Sequence, residues 1–258
     1  MKILSLNVWA GIRYEPLMAF IERYASEVDA FCFQEVFSTT SDRTQSGEAR
    51  VNLYQEMERI LPGFQGFFDG AQDGIDMAGA VDFPTSYGLA AFVKEGLPII
   101  GHGDFMVYAT RNGKDSERGI TVPRNLQYLR FDFDGIKLTV ANLHGLWNGG
   151  GKGDAPERIE QSRLTKEFLD QEPGAKVLVG DFNLWPETES LKLLEAGMRN
   201  LIKKNGITST RSPLYNKENK FADYALVSPD VKVNGFKVLP DVVSDHLAML
   251  LDVEILRS

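Results

Sequence analysis

The chain has 258 residues, of which 43% are hydrophobic and 25% are charged, and this balance excludes a wholly disordered protein. It contains 28 lysines and arginines against 36 aspartates and glutamates, for a net charge of −8. Such a chain is not expected to bind long polyanions through bulk charge, so nucleic-acid contacts would need a locally basic surface. Because no linker is visible, we predict a single domain over residues 1–258.

The cysteine content and the apolar runs predict where the protein is found. The one cysteine, Cys32, excludes an intrachain disulfide, and its apolar neighbours predict a buried thiol. No run approaches the roughly 18 apolar residues of a membrane-spanning helix, and the first residues lack a signal-peptide pattern. We therefore predict a cytoplasmic protein without membrane insertion.

Strands and helices alternate in the first part of the chain. The helices are predicted from apolar residues at helical spacing, and the second strand from a fully apolar run that suits burial on both faces. In order, the predicted elements are a strand at 3–9, a helix at 16–24, a buried strand at 30–34, a polar loop at 38–50 and a helix at 53–61.

The middle of the chain is rich in strands, and helices return near its end. Strands are predicted at 89–93, 105–108, 126–131 and 136–143, with an Asp134-Gly135 hairpin turn between the last two. A helix at 156–169, a strand at 176–180, a helix at 188–194 and strands at 222–227 and 247–255 follow. This order predicts an α/β protein with mixed sheets packed face to face and flanked by helices.

Two polar residues stand out on the first two strands. Asn7 lies among apolar neighbours, and Glu35 directly follows the buried run 31–34. A carboxylate at the end of a buried run costs free energy unless a cation or a donor compensates it, and a hard divalent ion such as Mg²⁺ is one such partner. A turn or strand-end cap for Asn7 and a strand-end ion pair for Glu35 are the alternatives.

Three further polar residues follow later strands. Asp181 and Asn183 are two positions apart after a buried strand, so extended backbone would direct both side chains to one face, where they could hold a phosphate or an attacking water. The alternative is an Asx turn into the next helix. His144 ends another predicted strand, and a hydrogen-bonded structural histidine is the alternative there.

The C-terminal part adds a lone acid and an acid–histidine pair. Asp223 lies within a predicted strand, and Asp245 and His246 enter the last one. Adjacent strand residues face opposite sides, so we expect Asp245 to reach a metal and His246 to face the substrate, with Asp223 orienting the ring. A surface turn is the alternative for the Asp245-His246 pair.

These motifs occur in one order along nearly the whole chain. They are Asn7, residues 33–35, residues 142–144, residues 180–183, Asp223 and residues 244–246. Together they resemble the endonuclease/exonuclease/phosphatase superfamily, which has the deoxyribonuclease I-like fold. The resemblance implies a four-layer α/β/β/α sandwich of two packed mixed sheets flanked by helices.

The resemblance also implies a metal site. It gives Glu35 the place of the family's principal Mg²⁺ ligand, with Asn7 and Asp245 nearby. Mn²⁺ is the alternative ion, since hard oxygen ligands dominate the set.

The other residues acquire catalytic roles through the same resemblance. Asp181 would orient or deprotonate the attacking water, and Asn183 would contact the phosphate and the metal site. His246 would bind the scissile phosphate, with Asp223 fixing its ring. His144 would lie near the leaving group.

Two basic segments predict contacts to an anionic substrate. The first holds Lys203, Lys204, Arg211, Lys217 and Lys220, and the second holds Arg111, Lys114, Arg118 and Arg124. We expect Arg124 and Arg211 to bind substrate and Trp147 to stack on a base or a head group. Solvated loops and a structural role for Trp147 are the alternatives.

The leading functional hypothesis is a monomeric, Mg²⁺-dependent phosphodiesterase or nuclease that hydrolyses a phosphate ester with an activated water. The second is a phosphatase or a sphingomyelinase-like phospholipase C that acts on a phosphorylated small molecule or lipid head group. A catalytically dead binding protein on the same fold is disfavoured because Glu35, Asp181 and His246 are all present.

Overall fold

Apolar runs of the sequence form the strands in a computed structural model, which describes residues 1–113 and 122–256. In chain order the strands are β1 (Lys2–Asn7), β2 (Ala30–Ser38), β3 (Phe64–Asp73), β4 (Ile75–Asp76), β5 (Gly79–Ala80), β6 (Ser86–Lys94), β7 (Ile99–Tyr108), β8 (Arg124–Phe133), β9 (Ile136–His144), β10 (Ala175–Asp181), β11 (Arg199–Asn200), β12 (Asp223–Val227), β13 (Val231–Val238) and β14 (Met249–Ile255). The helices are α1 (Tyr14–Ala25), α2 (Leu53–Ile60), α3 (Pro156–Gln171), α4 (Glu189–Glu195) and α5 (Leu201–Lys204).

Most of these strands belong to two six-stranded sheets, with the orders β13-β14-β1-β2-β6-β3 and β11-β12-β10-β9-β8-β7. Strand β2 shows how the first sheet uses both faces. Phe31 and Phe33 pack with α1 and α2, whereas Ala30 and Cys32 belong to the core shared with the second sheet, as the two-residue period of a strand requires. Helix α3 covers the second sheet, where Phe168 packs on rings from β7 and β8. The predicted α/β/β/α sandwich is confirmed.

A buried amide network joins the two sheets. Gln34 on β2 donates to Asn142 Oδ1 on β9 over 2.7 Å, and Asn142 Nδ2 donates to the Phe33 carbonyl and to Gln127 Oε1. Buried amides that lack partners are costly, so this network favours one relative placement of the sheets. Gln34 lies one residue before Glu35 on β2, and Asn142 lies two residues before His144 on β9.

The predicted elements are all present, but the two long strands β3 and β13, the two-residue strands β4, β5 and β11, and the short helix α5 were not predicted. Strands β3 and β13 are the two edges of the first sheet, and edge strands carry fewer apolar residues than central ones. Glycines interrupt the apolar pattern of β3, and a register shift before Gly235 interrupts β13. The Asp134-Gly135 hairpin is confirmed, since both residues have positive φ angles of 55° and 89°.

Two predictions about burial and the membrane can be compared with the structure. Cys32 is buried, and this burial raises the pKa of its thiol to about 12. Within residues 1–113 and 122–256, none of the helices has the length and apolar character needed to cross a membrane.

Strand pairing brings the polar strand ends together. In the second sheet Asp181 pairs with His144 on one side and with Asp223 on the other. In the first sheet Asn7 pairs with Gln34, the residue before Glu35. Five residues that are distant in sequence, Asn7, Glu35, His144, Asp181 and Asp223, therefore meet at one edge of the sandwich.

Candidate active site

A cavity of about 450 Å³ opens at this edge of the sandwich. Its walls combine acids, histidines, cations and aromatic rings. The lining residues are Trp9, Glu35, Phe37, Ile75, Asp76, Met77, Tyr87, Val122, Arg124, His144, Trp147, Lys152, Asp181, Asn183, Arg211, Tyr215, Lys217, Asp245 and His246. All but two of the predicted site residues are in this set; the exceptions, Asn7 and Asp223, are buried directly behind it.

Asn7 connects two of the acids. Its Nδ2 donates to Glu35 Oε1 over 3.0 Å and to Asp181 Oδ2 over 3.1 Å, while its Oδ1 accepts the Trp9 N–H over 2.9 Å. The amide thus presents its nitrogen to the carboxylates and its oxygen to the backbone. This arrangement orients Glu35 and Asp181, and the place of Asn7 at a metal site stays a prediction.

Glu35 enters the cavity from a β-bulge and not from the end of a strand. Strand β2 continues to Ser38, and its register with β6 shifts between Phe33 and Val36. Glu35 has a φ of 59°, a left-handed conformation that is rare outside glycine and is often kept at functional sites. Burial raises the pKa of Glu35 to about 7, and the charges of Asp245 and Asp181 add to this rise while the Asn7 hydrogen bond opposes it.

Asp181 and Asn183 form an Asx turn. Asp181 Oδ1 accepts the Asn183 N–H over 2.9 Å, and Asn183 Nδ2 donates to the Gly145 carbonyl. The predicted extended backbone is wrong at this point, because Asn183 has a φ of 53°. Both side chains nevertheless line the cavity. Before them, only glycine fits at Gly180, where a Cβ would lie 2.0 Å from the Leu143 carbonyl oxygen.

His246 is held by Asp223. Its Nδ1 lies 2.8 and 2.9 Å from the two Asp223 carboxylate oxygens, and its Nε2 lies 3.5 Å from Asp181 Oδ2. Burial, followed by the charge of Arg211, lowers the pKa of His246 to about 3. Asp223 thus orients the ring through Nδ1, and Nε2 is directed to the cavity.

The prediction that Asp245 and His246 face opposite sides is wrong. Strand β14 begins only at Met249, and the pair lies in a preceding segment that makes one isolated bridge, between His246 and Arg211. Both side chains line the cavity, and His246 Nε2 is 3.7 Å from Asp245 Oδ1. The rule for alternating side chains does not apply outside regular strand structure.

His144 completes a group with metal-ligating chemistry. Its Nε2 lies 3.7 Å from Glu35 Oε1 and 3.8 Å from Asp181 Oδ2, and burial holds its pKa well below the usual range. The ligand atoms of Glu35, His144 and Asp181 lie within 4.8 Å of one another, as do those of Asp181, Asp223 and His246. The carboxylate oxygens suit a hard divalent cation such as Mg²⁺ or Mn²⁺, whereas an imidazole nitrogen is a softer ligand.

Two arginines reach the cavity, as predicted for substrate contacts. Arg124 is buried at the start of β8, where its Nε donates to the Gly145 carbonyl over 3.1 Å. Arg211 Nη1 pairs with Asp245 Oδ2 over 2.5 Å, and its guanidinium lies 4.3 Å from the Tyr215 ring centre. Arg124 Nη1 and Arg211 Nε are buried without a partner among the described residues. Both side chains therefore retain unused hydrogen-bonding capacity next to the cavity.

The remaining predicted basic residues are divided between the cavity and ion pairs elsewhere. Lys217 lines the cavity, and Lys220 Nζ donates to the Tyr215 carbonyl. Lys203 pairs with Glu195, and Arg111 pairs with Asp104. Lys204 is exposed, whereas Lys114 and Arg118 lie outside the described residues. Thus the described members of the two segments do not all contribute to one basic surface.

Lys152 is a cavity residue that the sequence analysis missed. It lies in the loop of residues 145–155, which connects β9 to α3, and is only 5% exposed, with Nζ donating to the Phe221 carbonyl over 3.2 Å. Burial lowers its pKa to about 8. Trp147 lies in the same loop, lines the cavity and is 39% exposed. A lysine among glycines shortly after His144 was the available signal, since glycine-rich loops with lysine often surround phosphate.

Solved structures similar to this chain show the same fold. A mannosyl-6-phosphatase of Bacteroides thetaiotaomicron VPI-5482 has a TM-score of 0.72 at 20% identity, with 99% of this chain and 100% of that chain covered. The human Nocturnin catalytic domain with bound sulfate has a TM-score of 0.66 at 18% identity, with 99% and 94% covered. Humanized D. rerio TDP2 has a TM-score of 0.64 at 15% identity, with 98% of each chain covered.

Sequence comparison extends this likeness from fold to family. Curated protein sequences give no match to the chain. A sequence model of the Endonuclease/Exonuclease/phosphatase family, however, matches residues 4–246, a range that includes every residue of the site described above. On this match, the chain belongs to the endonuclease/exonuclease/phosphatase family.

Proposed function

We propose that residues 1–258 form one catalytic domain that hydrolyses a phosphate ester of a small molecule with the help of a divalent cation. The observation that carries this proposal is the approach of His246 Nε2 to within 3.5 Å of Asp181 Oδ2 at one cavity. A phosphate-binding group and a water-orienting group that face the same space can act on a single phosphate.

The acids of the cavity fit a divalent cation. Glu35 would hold it, with Asp245 and His144 facing the same space and Asn7 orienting the Glu35 carboxylate. Crowded buried carboxylates are destabilising without a cation, and the raised pKa of Glu35 reflects both burial and this crowding. When bound, Mg²⁺ or Mn²⁺ supplies positive charge that stabilises the negative charge of the reacting phosphate.

Asp181 is the proposed acceptor for the attacking water. Hydrogen bonds from Asn7 and from the Asn183 backbone hold its carboxylate in one orientation. A fixed acceptor can orient a water molecule and take its proton as the new P–O bond forms. The negative charge of a bound phosphate favours a proton on His246 Nε2, so that His246 donates to the phosphate through Nε2 and to Asp223 through Nδ1. Asn183 supports the same phosphate from the turn.

The size and charge of the site favour a small substrate over a long nucleic acid. The cavity of about 450 Å³ is in the range of small-molecule sites. Outside it, Lys203 and Arg111 are neutralised by acids, and the chain carries a net charge of −8. The second candidate is a nuclease that acts at the end of a nucleic-acid strand. It is favoured by the exposed Trp147 ring at the cavity, on which a base could stack.

Purified protein with Mg²⁺ or Mn²⁺ should be tested against sugar phosphates, inositol phosphates, phospholipids, and single- and double-stranded DNA and RNA. We expect metal-dependent release of phosphate from a small ester and no comparable cleavage of duplexes. Preferred cleavage of oligonucleotide ends would replace this substrate class with the second candidate. No hydrolysis of any ester, with metal binding verified by calorimetry, would contradict the proposed activity.

A further inference from the structure

Lys152 is a buried cation that the proposed mechanism does not use. Burial of an ammonium group costs several kcal/mol unless other groups compensate it. Its Nζ has one hydrogen bond, to the Phe221 carbonyl, and lies 5.6 Å from the Tyr215 ring centre, with no carboxylate paired to it among the described residues. An ammonium group has three N–H donors, so two remain for a ligand.

The backbone around Lys152 is firmly held. The Trp185 N–H donates to the Lys152 carbonyl over 3.0 Å. The buried guanidinium of Arg158 donates to the carbonyls of Leu146, Gly151 and Gly153 and to Asn148 Oδ1. These contacts fix the loop on both sides of Lys152, so its position in the cavity wall is preorganised before a ligand binds.

A second cation lies beside Lys152. The guanidinium of Arg211 lies 4.3 Å from the Tyr215 ring centre, and the ammonium groups of Lys152 and Lys220 lie 5.6 and 5.4 Å from it. Arg211 is partly neutralised by Asp245, whereas no carboxylate among the described residues forms an ion pair with Lys152. Both side chains line the cavity that holds Asp181 and His246, so their charge faces the reacting phosphate.

We propose that Lys152 donates to a non-bridging oxygen of the substrate phosphate and, with Arg211, selects phosphate monoesters over diesters. A monoester carries close to two negative charges above pH 7, whereas a diester carries one. A second ester group would also replace one of the charged oxygens that Lys152 can bind. This inference rests on the proposed function and names the substrate class of the same site.

The first test compares p-nitrophenyl phosphate with bis(p-nitrophenyl) phosphate in the presence of Mg²⁺ at about pH 7, where the monoester is mostly a dianion and Lys152 is mostly protonated. We expect the wild-type protein to prefer the monoester. The Lys152→Met variant should lower the monoester-to-diester ratio of kcat/KM by about 10- to 100-fold, the effect of one charged hydrogen bond. The matched control is Lys94→Met, which removes an exposed lysine at the end of β6 and should leave the ratio unchanged.

The second test measures binding without hydrolysis. Calorimetry with methyl phosphate and dimethyl phosphate, in Mg²⁺, should show at least about tenfold weaker methyl phosphate binding by Lys152→Met and little change for dimethyl phosphate. Lys152→Arg keeps the charge and should restore part of the preference; it also serves if the methionine variant fails to fold. Equal loss for both ligands, or an unchanged ratio, would overturn the inference. A protein that binds methyl phosphate through Lys152 but hydrolyses no ester would instead contradict the proposed function alone.

Discussion

Two parts of the cavity are built in different ways. The strand-borne centre comprises Asn7, Glu35, His144, Asp181 and Asp223, which lie on five strands whose pairing sets their spacing. The loop-borne wall comprises Trp147, Lys152, Arg211 and Tyr215, which lie outside the helices and strands. The centre depends on sheet register, whereas the wall depends on individual hydrogen bonds and ring contacts.

This difference separates chemistry from substrate choice. A centre on paired strands can keep its geometry while loops change, and binding residues in many enzymes lie on loops held by a rigid scaffold. We therefore expect substitutions in the strand-borne centre to affect turnover of every ester. Substitutions in the loop-borne wall should mainly affect which ester is bound and how tightly.

The largest effect is expected from Glu35→Gln, which should abolish turnover at any Mg²⁺ concentration while the protein remains folded. The same change removes a buried carboxylate beside Asp181 and Asp245, whose charges contribute to its raised pKa. In EDTA, the variant should therefore unfold at a higher temperature than wild type, by a stability gain of about 1–3 kcal/mol. Turnover assays and thermal unfolding with and without Mg²⁺ measure both effects.

The control for this prediction is Glu27→Gln, which neutralises an exposed carboxylate after α1 and should change neither quantity. Mg²⁺ should raise the unfolding temperature of wild type and of the control, but not of Glu35→Gln. Wild-type turnover by Glu35→Gln at low Mg²⁺ would remove Glu35 from the metal site. Hydrolysis that persists in excess EDTA, after elemental analysis for residual metal, would contradict the metal requirement itself.

The next largest effect is expected from Asp181→Asn, which should lower kcat by about 10² to 10⁴ because asparagine cannot take a proton from water. KM should stay the same or fall, since a negative charge near the phosphate is lost.

His246→Ala should instead lower kcat and raise KM, because it removes a contact made in the ground state and the transition state. Steady-state kinetics of both variants on one substrate distinguish these roles.

Asp230→Asn is a suitable control for Asp181→Asn, since it removes an exposed carboxylate between β12 and β13. An increase in KM alone for Asp181→Asn would make Asp181 a binding group. The proton acceptor would then have to be sought at His246.

A smaller effect is expected from Asp223→Asn, which replaces the partner of His246 Nδ1. An asparagine amide presents either a neutral oxygen or a competing donor to the ring, so the imidazole loses its charged partner. We expect kcat/KM to fall by about 10- to 100-fold for monoester and diester alike. A change in the monoester-to-diester ratio would show that the centre also selects substrate and would weaken the separation between the two parts.

The strand-borne centre was largely predictable because its signals are local. A polar residue next to an apolar run is visible in sequence, and Glu35, His144, Asp181 and Asp223, which were singled out in this way, lie close together at one edge of the sandwich. The errors occurred where the backbone leaves regular structure. Glu35 lies at a bulge and Asn183 in a left-handed turn, and neither conformation follows from side-chain periodicity.

The loop-borne wall was only partly predictable. Arg211 and Trp147 were singled out from charge and composition, but Lys152 and Tyr215 were not. The position of Lys152 depends on Arg158, six residues later, whose side chain folds back onto the loop. Such contacts between a helix and an irregular loop have no period in the sequence, so only the folded structure identifies them.

The smallest effect, and the sharpest test of the wall, is expected from Arg158→Lys. Lysine keeps the charge on α3 but cannot reproduce the forked hydrogen bonds to the carbonyls of Leu146, Gly151 and Gly153. The loop should relax, which moves Lys152 without touching the centre. We expect KM for a monoester to rise about threefold to tenfold with kcat within about twofold of wild type, as for a loss of binding alone.

Arg163→Lys is the matched control for Arg158→Lys, because Arg163 lies on the same helix but is exposed, and its ion pairs among the described residues are with Glu160 and Glu167. It should leave KM unchanged. Tryptophan fluorescence reports the loop directly, since Trp147 lies in it and Trp185 packs beside Gly151 and Gly153. If Arg158→Lys altered this fluorescence and lowered kcat equally for monoester and diester while KM stayed constant, the loop would be part of the catalytic centre. The wall would then not be a separate determinant of substrate choice.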